Sequence, residues 1–154
     1  MDCLKGKTDL KEAITPYLKK WGWNDSTNAY LDYWFESQKN INKQLIEEIQ
    51  SLKKKRYKVF VATNQEKYRA EYLVHKLGFG EIFDGFYASS HIGEIKSNPA
   101  FFHRLLEQIE LKPNETLFWD DSPTHVTSAK SVGMYAELYT SYEDFKKKMD
   151  MYLN

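Results

Sequence analysis

Five polar residues in this sequence are of types that could act together: Thr63 and Asn64, Lys96, and the adjacent pair Asp120 and Asp121. Neighbouring carboxylates suit a hard cation such as Mg²⁺, which takes oxygen ligands in near-octahedral geometry. A hydroxyl with neighbouring amides at a strand-to-helix junction holds phosphate oxygens. A lysine adds a point charge that offsets phosphoryl oxygens and keeps a nearby carboxylate ionised. Phosphoryl transfer depends mainly on positioning and charge stabilisation, and these residue types supply both. Each alone has a plainer explanation. A strand-end Thr-Asn is commonly a turn or a helix cap, a loop lysine is commonly solvated, and acids ahead of a helix complement its dipole.

These residues must be positioned by a repeating framework, and the pattern supplies one after Arg56. Tyr57 to Ala62 is a short apolar, β-branched run that ends in Thr63-Asn64. Gln65 to Leu77 reads as a helix stopped by Gly78, and Phe83 to Ala88 as a second strand. Pro99 to Leu111 is helical, with Phe102, Leu105, Leu106 and Ile109 on one face. Thr116 to Trp119 is a third strand ending at Asp120-Asp121, and Ser122 to Ser131 a helix closed at Val132-Gly133. Met134 to Leu138 is a fourth strand, and Tyr142 to Leu153 a last amphipathic helix. Strands alternating with helices predict an α/β fold, a Rossmann-like parallel sheet with helices on both faces. In such sheets ligands bind beyond the carboxyl ends of the strands, where Thr63, Asn64, Asp120 and Asp121 fall; Lys96 lies in the loop after the second strand.

Before Arg56 the chain reads as helix only. Thr8 is expected to cap a helix carrying Leu10, Ile14 and Leu18. Trp21-Gly22-Trp23 breaks it, and Asn24-Asp25-Ser26 offers a new cap for Thr27 to Ser37. Ile41 to Lys55 follows, ending in Lys53-Lys54-Lys55-Arg56, a cluster that suits the negative end of a helix dipole. The division is therefore expected at residues 1–55 and 56–154. Tyr33, Trp34 and Phe35 could line a pocket or pack the helices together, and packing is favoured.

Lys plus Arg and Asp plus Glu both number 22 among 154 residues, so net charge points to neither nucleic acid nor an anionic membrane. No apolar run has the length needed to cross a bilayer, and the first residues have no apolar signal-peptide core. Cys3 is the only cysteine, so an internal disulfide is excluded and a reducing, cytoplasmic setting is expected.

The motifs resemble those of the haloacid dehalogenase (HAD)-like hydrolases, of the helical-cap phosphatase type. Val59 to Asn64 is similar to the second motif of that family, a hydrophobic strand ending in Ser or Thr. Gly93-Glu94-Ile95-Lys96-Ser97-Asn98-Pro99 resembles the third, although Ser97 and Asn98 stand where Pro and an acid are common. Leu117-Phe118-Trp119-Asp120-Asp121-Ser122-Pro123 resembles the fourth, with His125 where Asn is frequent. The resemblance implies that Thr63, with Asn64, binds the transferring phosphoryl group and that Lys96 steadies nucleophile and phosphate. It implies that Asp120 ligates Mg²⁺ with Asp121 assisting, that the helices before Arg56 are a partial cap, and that the substrate is a small phosphorylated molecule.

The first motif of that family, Asp-x-Asp after a hydrophobic strand, is not found. Its first Asp is the nucleophile and its second the usual general acid. Asp2, Asp9, Asp25 and Asp32 all lack the strand that would present them. The first central strand is thus expected to be absent, which would leave unpaired sheet edges and favour a homodimer. The expected function is that of a phosphatase relative inactive as written; the alternative is a non-enzymatic binding or interaction domain on the same scaffold. A response-regulator receiver orders its acids before its Thr and Lys, the reverse of this chain, and a dehalogenase proper needs the same absent Asp.

Overall fold

The computed structural model describes residues 1–153, which fall into two compact units, Met1–Gly93 and Glu94–Asn154. Within the first unit, α1 (Leu10–Leu18) begins one residue later than expected. Asp9, not Thr8, is its cap: the Asp9 carboxylate accepts from the backbone N–H of Lys11 at 2.8 Å. The carboxylate holds a cap more firmly than a hydroxyl because it also meets the positive end of the helix dipole. α2 (Thr27–Ser37) is capped by the Ser26 hydroxyl, and α3 (Lys43–Lys54) by Asn42. Leu31 and Phe35 of α2 are buried with Tyr72, and Leu10, Ile14 and Trp34 pack against them. Phe35 is therefore core, whereas Tyr33 is exposed.

β1 (Phe60–Thr63) and β2 (Gly85–Ala88) pair in parallel, with Thr63 opposite Ala88. The basic cluster at the end of α3 has a structural use here. Lys53 donates to the Ile82 carbonyl at 2.9 Å and pairs with Asp84 at 3.2 Å, while Asp84 accepts from the Val59 N–H at 2.8 Å. Helix α4 (Lys67–Glu71) passes into a π turn over Tyr72–Lys76 before Gly78 ends it at φ 74°. Two single-turn helices follow, α5 (Phe79–Ile82) and α6 (Ser89–Ile92). The short turn Cys3–Lys5 packs on α6 through Gly6. A Cβ at Gly6 would lie 2.4 Å from the Ser90 carbonyl oxygen, so only glycine permits that approach.

In the second unit, α7 (Pro99–Ile109) is closed by Glu110 at φ 56°, and β3 (Leu117–Asp120) pairs in parallel with β4 (Tyr135–Leu138). Helix α8 (Pro123–Ser131) joins them, and α9 (Tyr142–Leu153) follows. Phe101 and Phe102 of α7 are fully buried, and the Phe102 ring lies 4.9 Å from that of Phe118. Trp119, on the other face of β3, packs 4.8 Å from Phe145 of α9. The strands pair as two two-stranded parallel sheets, β1 with β2 and β3 with β4. Parallel pairing follows from the helical crossovers between consecutive strands, since two parallel strands cannot be joined by a hairpin. Among the described residues, no helix is long and apolar enough to cross a membrane.

Candidate functional site

The local build of the second unit delivers three side chains to one point. Strand alternation puts Phe118 and Asp120 on the same, buried face of β3. Lys96 lies in the turn ahead of α7, a segment fixed by the Asn98 cap, whose side chain accepts from the Ala100 N–H at 3.0 Å. Pro99 at the first helical position holds the entry angle. The lysine is buried; its ammonium lies 5.8 Å above the Phe118 ring and 2.5 Å from Oδ2 of Asp120. A buried ammonium is costly unless it is paired and hydrogen-bonded, and Asp120 supplies both.

The other carboxylate oxygen is held from α8. The Ser122 N–H donates to Asp120 Oδ1 at 2.9 Å, and His125 Nδ1 stands 2.9 Å from the same oxygen. An ionised carboxylate can only accept, so Nδ1 carries the proton in this contact. Burial by itself would push the Asp120 carboxyl up. The Lys96 hydrogen bond and charge, with the His125 and Ser122 bonds, outweigh it and hold the group below the usual carboxylate range. The carboxylate is therefore ionised throughout the neutral range.

Lys96 and Asp120 are thus brought together. Asp121 follows on the turn into α8, exposed and outside that network of bonds. Thr63 and Asn64 belong to the first unit, where Thr63 ends β1 and both are half-buried. The turn after them is fastened to α6, since the Gln65 carbonyl accepts from the Ser90 N–H at 3.2 Å and the Ser89 hydroxyl at 3.3 Å. His125 had drawn notice in the sequence only as a departure from a pattern. The signal that could have found it is its place in the first turn of α8, two residues after Pro123, where a side chain reaches back toward the strand end.

Among the described residues, no three His, Cys, Asp or Glu side chains converge as a complete metal cage. Mg²⁺ does not need one, because it keeps several waters and is commonly held by one or two carboxylates and a substrate phosphate. The adjacent carboxylates of Asp120 and Asp121 are the oxygen ligands of that kind at this strand end. Both Asp120 oxygens accept from donors, Oδ1 from the Ser122 N–H and His125 and Oδ2 from the Lys96 ammonium, while the adjacent Asp121 carboxylate is exposed outside those bonds.

A family model described as haloacid dehalogenase-like hydrolase matches residues 7–133. The chain is 30% identical over 92 residues to a drimenol cyclase of Aspergillus calidoustus, covering 60% of this chain and 17% of that protein. It is 39% identical over 54 residues to a sesquiterpene phosphatase of Aspergillus oryzae, covering 35% of this chain and 28% of that protein. The chain therefore spans less than a third of either relative. In fold it is similar to a HAD family enzyme of Bacteroides thetaiotaomicron solved with magnesium and inorganic phosphate, with a TM-score of 0.80 at 20% identity over 94% of this chain and 75% of that one.

Proposed function

The chain belongs to the haloacid dehalogenase-like hydrolase family, and from that premise we propose that it carries the metal- and phosphate-binding part of a Mg²⁺-dependent phosphatase of small phosphorylated metabolites. The observation that supports this reading is the buried Lys96–Asp120 pair, an ionised carboxylate beside an ammonium at the end of a parallel strand. In this reading Asp120 holds Mg²⁺, with Asp121 assisting. Lys96 offsets phosphoryl charge, and Thr63 and Asn64 contribute a hydroxyl and amides for phosphate oxygens. Bound Mg²⁺ would supply charge neutralisation at the phosphoryl oxygens. The setting is cytoplasmic.

The sequence has no Asp-x-Asp after an apolar strand, the pattern that carries the attacking carboxylate in the family it resembles. That observation favours the second reading, a domain that binds phosphate or a partner without turnover. Both readings meet in one assay. The purified chain is incubated with p-nitrophenyl phosphate, with and without Mg²⁺, beside Asp120→Asn. No turnover from a folded chain supports binding without catalysis. Mg²⁺-dependent turnover that vanishes in the variant would mean that another carboxylate serves as nucleophile, and would return the chain to the phosphatases proper.

A further inference from the structure

We propose that the basic turn after α3 is a docking surface for single-stranded nucleic acid, with Tyr57 stacking on a base and Lys54, Lys55, Arg56 and Lys58 meeting its phosphates. This surface lies within the first unit, at the opposite end of β1 from Thr63, and is independent of the reading of Asp120.

Charge is the first observation. Lys and Arg equal Asp and Glu over the whole chain, and that balance hides a local excess. Four cations stand within residues 54–58, and every residue of that run is exposed. Lys53, just before them, is engaged by Asp84 and the Ile82 carbonyl. Among the described residues no carboxylate forms an ion pair with Lys54, Lys55, Arg56 or Lys58. Asp84 feels Lys58 at longer range, but it is already bound by Lys53 and the Val59 N–H. The dipole of α3 accounts only for the lysines of its last turn, because that field falls off within one turn. Arg56 and Lys58 lie beyond it.

The backbone is the second observation. The Arg56 N–H donates to the Lys53 carbonyl at 2.9 Å and the Tyr57 N–H to the Leu52 carbonyl at 3.1 Å. That closure of a helix uses one left-handed residue, and Arg56 takes the place at φ 69°. Glycine is the usual residue there, since a Cβ in that conformation is strained. Arginine at a glycine position and four crowded like charges both lower the stability of the fold and gain no ion pair within it. A local rule broken without a gain inside the fold points to a functional surface.

The turn also holds a ring outward. Tyr57 is 50% exposed between Arg56 and Lys58. An aromatic ring flanked by cations suits a single strand: bases stack on the ring whatever their sequence, and phosphates meet the charges. An acidic peptide would use the cations and leave the ring idle. A lipid surface would need several apolar anchors, and Tyr57 is the only large hydrophobic of α3, this turn or β1 that is exposed.

The test titrates the full chain into a fluorescently labelled oligouridylate of about 12 nucleotides and follows anisotropy across a salt series. Each single-strand phosphate neutralised contributes about −0.7 to the slope of log affinity against log salt, so four contacts give about −3. Lys54→Ser combined with Lys55→Ser should reduce the magnitude of that slope by about 1.4. Tyr57→Ala should weaken binding at least about five-fold with the slope unchanged, and Tyr57→Phe, which keeps the ring, should bind as wild type does. Arg56→Gly should weaken binding and yet give a Tm no lower than that of wild type, so its loss cannot come from misfolding. Wild type that leaves the oligonucleotide free at low salt overturns the proposal, and so does Tyr57→Ala that binds it unchanged. An Arg56→Gly chain that melts below wild type would show that Arg56 serves the fold, and would overturn it as well. Phosphatidylserine vesicles and a polyglutamate peptide are offered in parallel. If either binds as tightly as the oligonucleotide, and equally to Tyr57→Ala, the surface is a general anion site and the proposal fails.

Discussion

The Lys96 ammonium and the Asp120 carboxylate meet at 2.5 Å although 24 positions separate them in the chain, and both are almost wholly buried. One comes from a turn, the other from the end of β3. Their pairing therefore ties the entry of α7 to the strand on which the phenylalanine core packs. Removing one partner leaves the other as an uncompensated buried charge, which is far costlier than losing both.

Lys96→Met should accordingly destabilise the second unit by ~3 kcal/mol at neutral pH. Urea unfolding followed by hydrogen exchange at the amides of α7 and β3 measures it. The double variant Lys96→Met with Asp120→Leu should recover much of that loss, and a double variant no more stable than the single would show that packing, not charge, sets the cost.

The same pair sets a pH dependence. The folded Asp120 carboxyl lies below its ordinary value, so its contribution to stability is present above the unfolded pKa of about 3.9 and is lost as pH falls through the folded one. Stability of the wild type should therefore drop below about pH 4 more steeply than that of Asp120→Asn, whose amide does not titrate. Parallel acid profiles for the two chains would remove Asp120 from the account.

Gly6→Ala should cost at least ~1 kcal/mol, since a Cβ there both requires a left-handed backbone and meets the Ser90 carbonyl. Hydrogen exchange should localise the effect to the Cys3–Lys5 turn and α6. Uniform destabilisation of the whole first unit would instead indicate that the turn is part of its core.

Arg69 donates to the Phe35 carbonyl at 2.9 Å and the Gln38 carbonyl at 3.1 Å, and its guanidinium lies over the Phe35 and Tyr72 rings. It reinforces the C-terminal end of α2, where the Phe35 carbonyl also accepts from the Gln38 N–H at 3.2 Å. Arg69→Lys should lose ~1 kcal/mol, because an ammonium cannot hold two carbonyls with one planar fork. Thermal unfolding checks it, and an unchanged midpoint would reduce Arg69 to a surface charge.

Much of the candidate site was legible because its parts are local. Asp120 at a strand end and Pro99 and Ser122 at helix starts are each read from a few neighbouring residues. The bounds of α2 and α9 follow from their caps and apolar spacing. What failed to show was of two kinds. The choice of Asp9 over Thr8 as cap turned on which side chain reaches the free N–H groups, a matter of one residue. The π turn at Tyr72–Lys76 depends on packing that no local pattern records.

By itself the sequence determined that this chain alternates parallel strands with helices, that its polar residues stand at the strand ends, and that no Asp-x-Asp accompanies them. Periodicity and turn chemistry act over a few residues, so a linear reading captures them. Only the tertiary structure decided that Lys96 closes on Asp120, that Lys53 pairs with Asp84, and that His125 takes part at all. Those outcomes depend on which buried charges find each other, and a low-dielectric interior enforces such pairing at distances along the chain that the sequence does not display.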